Sequence, residues 1–133
     1  MAYPLRSWFA AFVFTQVIEI PVYTLAIRHA VKTGHATGPR TIRMQIAAAF
    51  GASAITHPAV WYLIPLLPSS FNNPYHSWLE YLVRAELFAF VVEAVYFSML
   101  DTFSLRRAFF WSFVANALSA GIGQLSRAYF HWP

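Results

Sequence analysis

The chain has no cysteine and very few charged residues among its 133 positions. Without a thiol it can form no disulfide, use no thiolate nucleophile and offer no thiolate ligand to a metal. Charged residues make up 11% of the chain, whereas about 25% is usual in a soluble domain. No nucleophile and base occur at a recognisable motif spacing either, so no catalytic motif indicates an enzyme.

Apolar residues dominate the composition. They make up 59% of the chain, and aromatic residues alone make up 19%. A soluble domain of this size could not bury so much apolar surface. We therefore predict an all-α integral membrane protein, folded as one domain over residues 1–133, in which four transmembrane helices form a compact bundle.

Four apolar runs are long enough to cross a bilayer, which takes about 20 residues for each helix. They cover about 7–28, 44–67, 78–100 and 107–125. The first run is too long for a cleaved secretory signal and carries Glu19, so we expect a retained helix. Tryptophan and tyrosine lie near the predicted ends of the runs, as in interfacial belts: Trp8, Trp61, Trp78, Tyr81, Tyr129 and Trp132.

The distribution of basic residues predicts the orientation. The formal net charge is +4, and basic side chains gather in the loop after the first run and in the turn before the fourth, at Arg28, Lys32, Arg40, Arg43, Arg106 and Arg107. The positive-inside rule then assigns both termini to the non-cytoplasmic side of an inner or plasma membrane. Attraction to anionic headgroups accounts for the charge, so we expect the lipid bilayer as partner and no nucleic acid.

Polar side chains inside the apolar runs mark the candidate site. A carboxylate in hydrocarbon costs about 2.5 kcal/mol or more, so such residues normally face the interior of a bundle and mark function. Near the middle of their runs lie Glu19, His57, Glu93 and Asn116. We predict that these four residues form a substrate or ion site. Six further residues are expected to support it: Tyr23, Ser53, Thr56, Glu86, Tyr96 and Ser119.

Two prolines lie beside the candidate site, Pro21 close to Glu19 and Pro58 directly after His57. A proline inside a helix removes a backbone hydrogen bond and frees a carbonyl one turn earlier. Such a carbonyl is tolerated in a membrane where it lines a cavity. The prolines therefore predict a helix break beside each of the two polar residues, as at an ion or substrate site, or else only a structural kink.

The two halves of the chain resemble each other. Ala-Ser-x-Ile-Thr-x-Pro at 52–58 aligns without gaps with Ala-Asn-x-Leu-Ser-x-Gly at 115–121, and each segment follows a run that carries a glutamate. This indicates two parallel copies of one helical hairpin, 7–67 and 78–125, although small residues recur in any membrane helix. Rows of small residues on spans two and four are typical of helix contacts, so we expect these two spans to form the central pair.

The chemistry of the candidate site allows three interpretations. Glu19, His57 and Glu93 could hold a divalent metal, since oxygen and imidazole ligands suit Mn, Fe or Zn. They could instead relay protons. A polar network that only stabilises the bundle is the third interpretation, and it would contain Glu19, Tyr23, His57, Arg84 and Asn116. Glu86 could simply pair with Arg84 or lie near the outer interface. The Glu-x-x-His steps of di-iron bundles and the His-Glu-x-x-His helix of zinc hydrolases are both missing.

Three functions are compatible with this pattern. The first is transport of an ion or small solute, either alone or as the membrane subunit of a transporter. The alternative is a non-catalytic accessory or assembly subunit of a larger membrane complex, and the third is a metal-dependent enzyme acting on a lipid-like substrate. Four short helices make a thin wall around any pathway, so we expect a homo-oligomer or a larger membrane protein partner.

Overall fold

The computed structural model describes residues 5–35 and 37–132. Four α-helices account for most of them: α1 (Leu5–Lys32), α2 (Ile42–Tyr62), α3 (Pro74–Met99) and α4 (Leu105–Phe130). A short 3-10 turn, Ile64–Leu66, follows α2. The predicted all-α class is confirmed for these residues, and each of the four predicted apolar runs corresponds to one helix.

Local sequence signals determine where two of the helices begin. Helix α2 starts after Thr41, whose hydroxyl accepts a hydrogen bond from the amide of Met44 at 3.3 Å. Helix α3 starts after Asn73, whose Oδ1 accepts hydrogen bonds from two amides of the first turn, and Pro74 is its first residue. Such caps satisfy backbone amides that have no partner within the helix.

Helices α1 and α2 both continue through their internal prolines. Pro21 lies inside Leu5–Lys32, and Pro58 lies inside Ile42–Tyr62. The expected helix breaks beside Glu19 and His57 are therefore wrong. A proline removes a single backbone hydrogen bond, whereas unwinding in an apolar environment would leave several backbone groups without partners, so the helix continues.

The four helices occupy the corners of a bundle in chain order. Helix α1 packs against α2 and α4, and α3 also packs against α2 and α4. Helices α2 and α4 therefore lie on a diagonal, and the prediction that they form the central pair is wrong. Their small residues face the interior but meet α1 and α3. A row of small side chains allows a close approach without specifying which neighbour approaches.

The apolar core lies toward the end of the bundle that holds the α1–α2 and α3–α4 connections. Its large members are Tyr23, Ile27, Phe97 and Phe103, which are surrounded by buried alanines. Toward the opposite end, where α1 begins and α4 ends, the helices enclose polar side chains and a cavity. The two ends of the bundle therefore differ in packing.

The outer surface is apolar on every helix. Leu25, Phe50, Val83 and Phe113 are examples of large apolar side chains that are exposed. An extended surface of this kind marks contact with lipid or protein. Three helical segments of the described chain are long and apolar enough to cross a membrane: Leu5–Lys32, Ile42–Leu66 and Leu105–Phe130.

Helix α3 fits a membrane span only in part. It has 26 residues but carries four charged side chains, Glu80, Arg84, Glu86 and Glu93. Glu80 and Arg84 form an ion pair at 2.5 Å near the start of the helix. Glu86 lines the cavity, and Glu93 is buried in the bundle interior. The two carboxylates deeper along the helix thus face inward.

The loop after α1 touches the turn between α3 and α4. The amides of Thr37 and Gly38 both donate to the carbonyl of Asp101, each at 3.3 Å. A Cβ atom at Gly38 would lie 2.5 Å from the carbonyl oxygen of Leu100, which is far inside contact distance. Glycine is therefore the residue that lets these two backbone segments approach.

Replacing Gly38 by alanine is expected to destabilise the protein by about 1–3 kcal/mol, because the new methyl group would push the two connections apart. Gly121→Ala is the matched control, since a Cβ there meets nothing within 4 Å. Thermal unfolding in detergent, followed by tryptophan fluorescence, measures both variants. Equal unfolding midpoints for Gly38→Ala and the wild type would show that the two connections do not touch.

Candidate functional site

Glu19 on α1 lies in the centre of the bundle and is 1% exposed. Ser119 of α4 donates a hydrogen bond to its Oε1 at 2.6 Å, and Ser53 of α2 donates one to its Oε2. Both donors are neutral hydroxyl groups, and they come from the two helices that flank α1. The carboxylate therefore connects three helices.

Glu93 on α3 lies on the opposite side of the bundle and is also 1% exposed. Its Oε2 accepts a hydrogen bond from Nδ2 of Asn116 at 2.7 Å and another from the Tyr23 hydroxyl at 2.5 Å. Its Oε1 accepts a hydrogen bond from the hydroxyl of Thr56 at 3.0 Å. Donors from the three other helices thus converge on this carboxylate.

Helical spacing explains how α2 and α4 each serve both carboxylates. Ser53 and Thr56 are three residues apart on α2, and Asn116 and Ser119 are three residues apart on α4. Side chains at that spacing lie on the same helix face. One member of each pair bonds to one carboxylate and the second member bonds to the other.

Neutral donors take the place of a cation at both carboxylates. Among the described residues, the ion pair is between Glu80 and Arg84, away from the bundle centre. Arg84 also donates to the carbonyl of Pro68 at 3.0 Å. The expectations that Arg84 joins the central network or pairs with Glu86 are therefore wrong. Both carboxylates depend on hydroxyl and amide groups for compensation.

A cavity of about 150 Å³ adjoins the two carboxylates on the side of the chain termini. The cavity is lined by the half of each helix that lies nearest the chain termini. These halves are α1 up to Glu19, α2 from Thr56, α3 up to Glu93 and α4 from Asn116. The lining reaches Arg127, which is exposed near the end of α4. The cavity therefore leads from the terminal end of the bundle to its central carboxylates.

Two aromatic rings close the bundle on the other side of the carboxylates. Tyr23 and Phe97 are both 0% exposed, and their ring centroids are 4.5 Å apart. This distance is typical of a packed aromatic pair. Since the Tyr23 hydroxyl bonds to Glu93, the closing ring is attached to the carboxylate at the cavity floor.

His57 lines the same cavity, but its ring lies among aromatic side chains. The ring centroids of Phe12, Trp61 and Trp8 are 5.2, 6.0 and 6.1 Å from its own. The residue is 8% exposed, and its Nδ1 has no hydrogen-bond partner within the part of the chain that the structure describes. His57 thus shares the cavity with the carboxylates while packing against other groups.

The arrangement does not form a metal-ligand set. Within residues 5–35 and 37–132, no group of three His, Cys, Asp or Glu side chains could hold a metal ion. Glu19 and Glu93 direct their oxygens at hydroxyl and amide donors, and His57 packs against rings. The geometry therefore does not support the predicted divalent metal site at Glu19, His57 and Glu93.

Most of the predicted site residues do meet in the structure. One hydrogen-bonded cluster contains Glu19, Tyr23, Ser53, Thr56, Glu93, Asn116 and Ser119. Tyr96 lies outside this cluster, because its ring packs against Phe97 at 5.3 Å and its hydroxyl lies beside Gly51. Tyr23 follows Glu19 by four positions, and the residue four positions after Glu93 is Phe97. Phe97, and not Tyr96, is therefore the counterpart of Tyr23 in the second hairpin.

Several cavity residues were not predicted as part of the site. Gln124 and Arg127 line the cavity, as do Trp61, Trp78 and Tyr81, which the sequence assigns to interfacial belts. Gln124 and Arg127 follow Asn116 by eight and eleven positions and so share its helix face, a signal that could have found them. For aromatic residues at a helix end, sequence does not distinguish a membrane belt from a cavity rim.

Tyr23→Phe removes one donor to Glu93 and keeps the closing ring, so it is expected to lower stability by about 1–3 kcal/mol. Tyr96→Phe is the matched control, because the Tyr96 hydroxyl has no hydrogen-bond partner among the described residues. Unfolding of both variants by thermal or denaturant titration in detergent gives the comparison. Two variants with the same stability would mean that the Tyr23 hydroxyl contributes nothing to the cluster.

A scan of protein-family models, a search of curated proteins and a search of solved structures each find no match for this chain.

Proposed function

We propose that this chain is an integral membrane protein that binds a small cation at Glu19 and Glu93 and moves it across the bilayer, alone or as the membrane subunit of a transporter. The cavity is the observation that carries the proposal, because it joins one end of the bundle to two buried carboxylates. Intramembrane carboxylates that face a cavity typically belong to ion and proton pathways. A binding site near the middle of the membrane, accessible from one side at a time, is the basis of alternating access.

The charges along the cavity favour a cation over an anion. Three carboxylates line the cavity, those of Glu19, Glu86 and Glu93, against one cationic side chain, that of Arg127 at the mouth. Glu86 lies two helical turns from Glu93 toward the mouth. A cleft with low-dielectric walls and carboxylates along its length concentrates positive ions. Glu86 would be the first carboxylate that an entering cation meets, and the central pair would be the last.

The proposed topology has α3 as a fourth span, with both termini outside the cytoplasm. Glu86 and Glu93 face the cavity and the interior, and Glu80 pairs with Arg84 near one end of the helix. None of the deep charges of α3 therefore has to face lipid. With the basic loops in the cytoplasm, the cavity would open to the non-cytoplasmic side.

We also propose that hairpins α1–α2 and α3–α4 are two copies of one unit. In the aligned motifs, Ser53 corresponds to Asn116 and Thr56 corresponds to Ser119. Each glutamate accepts one hydrogen bond from the first of these positions in its own hairpin. It accepts another from the second position in the other hairpin. The donors are Ser53 and Ser119 for Glu19, and Asn116 and Thr56 for Glu93. This reciprocal pattern supports a pseudo-twofold axis along the membrane normal, with one carboxylate on each side of it.

The transport proposal predicts flux of at least one small cation in reconstituted vesicles, tested with protons, sodium and methylammonium. Glu19→Gln and Glu93→Gln are each expected to reduce that flux by about tenfold or more, since each removes a carboxylate from the pathway. Glu80→Gln is the matched control, because it makes the same chemical change at a surface ion pair and should retain flux. A pH-sensitive dye reports protons, and radiolabel uptake reports the other two cations. Normal flux in both central variants would rule out a pathway through these carboxylates.

A non-catalytic accessory subunit is the second candidate function. The observation that favours it is that donors of the chain itself bond to both carboxylates. Such hydrogen bonds are sufficient for a purely structural role, in which they hold the bundle together. Native mass spectrometry after gentle extraction distinguishes the two candidates. A partner chain at fixed stoichiometry, together with no flux of any of the three cations by the wild type, would favour the accessory role.

A further inference from the structure

The cavity floor has unused capacity to accept hydrogen bonds. An ionised carboxylate offers about four acceptor sites. Glu19 accepts hydrogen bonds from two donors and Glu93 from three, which leaves about three acceptor sites on the pair. Every one of these donors is neutral, so no cation among the described residues compensates the two carboxylates. A ligand that complements the floor supplies N–H donors and a positive charge.

A further group in the cavity wall also needs a hydrogen-bond partner. His57 lines the cavity and is 8% exposed, and its Nδ1 is unpartnered within the described residues. The neutral imidazole ring carries one acceptor nitrogen. Buried polar atoms without a partner are uncommon and need an explanation such as an absent ligand or water. Because Nδ1 is itself buried and the ring packs against Phe12, Trp61 and Trp8, this nitrogen is not counted among the acceptors of the cavity floor.

The cavity volume limits the size of the ligand, and the residues of its walls and mouth indicate the chemical character of the part that lies away from the carboxylates. The cavity volume of about 150 Å³ equals that of an engineered apolar cavity that holds one benzene molecule. Between floor and mouth the lining includes small residues, among them Ala85, Ala89 and Gly123. Trp61 and Trp78 line the outer part, where aromatic faces attract organic cations. These walls suit a short apolar chain that carries a cationic head.

We infer that the cavity binds a small primary ammonium ion, with its –NH₃⁺ group on Glu19 and Glu93 and its apolar body between the small residues of the wall. The three N–H donors of such a group match the roughly three lone-pair positions on the two carboxylates that no donor of the described chain fills. The inference rests on the proposed function, since it names the class of cation that the same site takes. A quaternary ammonium ion lacks N–H donors, and an anion would face carboxylates.

Binding of n-butylammonium chloride to the full chain in detergent, measured by isothermal titration calorimetry, tests this inference. Tetramethylammonium is the matched ligand, because it has the same charge and the same number of non-hydrogen atoms but no N–H donor. Butylammonium is expected to bind about tenfold more tightly or better, the ratio expected for one charge-assisted hydrogen bond. Equal affinities for the two ions, or no saturable heat at about 10 mM butylammonium, would overturn the inference.

Two kinds of variant locate the binding site. Glu19→Gln and Glu93→Gln are expected to weaken butylammonium binding by about tenfold or more, and Glu80→Gln is expected to leave it unchanged. Gly123→Leu keeps both carboxylates and adds a side chain at a residue that lines the cavity between its floor and its mouth, where a Cβ would lie at the ordinary contact distance of 3.7 Å from Phe14. It should abolish butylammonium binding and preserve methylammonium binding. Unchanged butylammonium affinity in Gly123→Leu would show that the cation binds elsewhere.

The ligand class and the transport function can fail separately. Proton or sodium flux that requires Glu19 and Glu93, without butylammonium binding, would overturn the ligand class and leave the proposed function standing. Butylammonium binding at these residues in a protein that moves no cation would support the ligand class and overturn transport.

Discussion

Two carboxylates buried in an apolar bundle impose the constraint on which the rest of this structure depends. A buried carboxylate is costly unless hydrogen bonds or a counter-charge compensate it. Neither hairpin supplies all the donors for its own glutamate, because Glu19 uses Ser119 and Glu93 uses Thr56. The network therefore specifies how the two hairpins are aligned. Apolar packing alone specifies this alignment weakly in lipid, since lipid tails are as apolar as the helix surfaces.

The level of the carboxylates divides the bundle into two ends with different physical character. Toward the connecting loops, Tyr23, Ile27 and Phe97 fill the interior, while toward the termini the helices enclose a cavity. The Tyr23 hydroxyl donates to Glu93, so one hydrogen bond links the packed end of the bundle to the cavity floor.

A local sequence pattern can place a residue at a depth or on a helix face without identifying the residue that it contacts. Small residues on α2 and α4 indicated close helix contacts, but these two helices are diagonal neighbours. Tyr96 resembled Tyr23 in its position after a glutamate, but one residue along a helix rotates a side chain by about 100° and turns Tyr96 away from the cluster. His57 lay at the right depth, yet its ring faces other aromatic rings.

The sequence by itself determined the all-helical class, the four helices and the inward position of Glu19, Glu93 and Asn116. It could do so because hydrocarbon penalises exposed polar groups and helical periodicity assigns each side chain to a face. Only the tertiary structure decided which donor meets which carboxylate, where His57 packs and where the cavity lies. These features depend on how each helix is rotated about its own axis and on which helices are neighbours. The periodicity of a single helix in the sequence encodes neither of these.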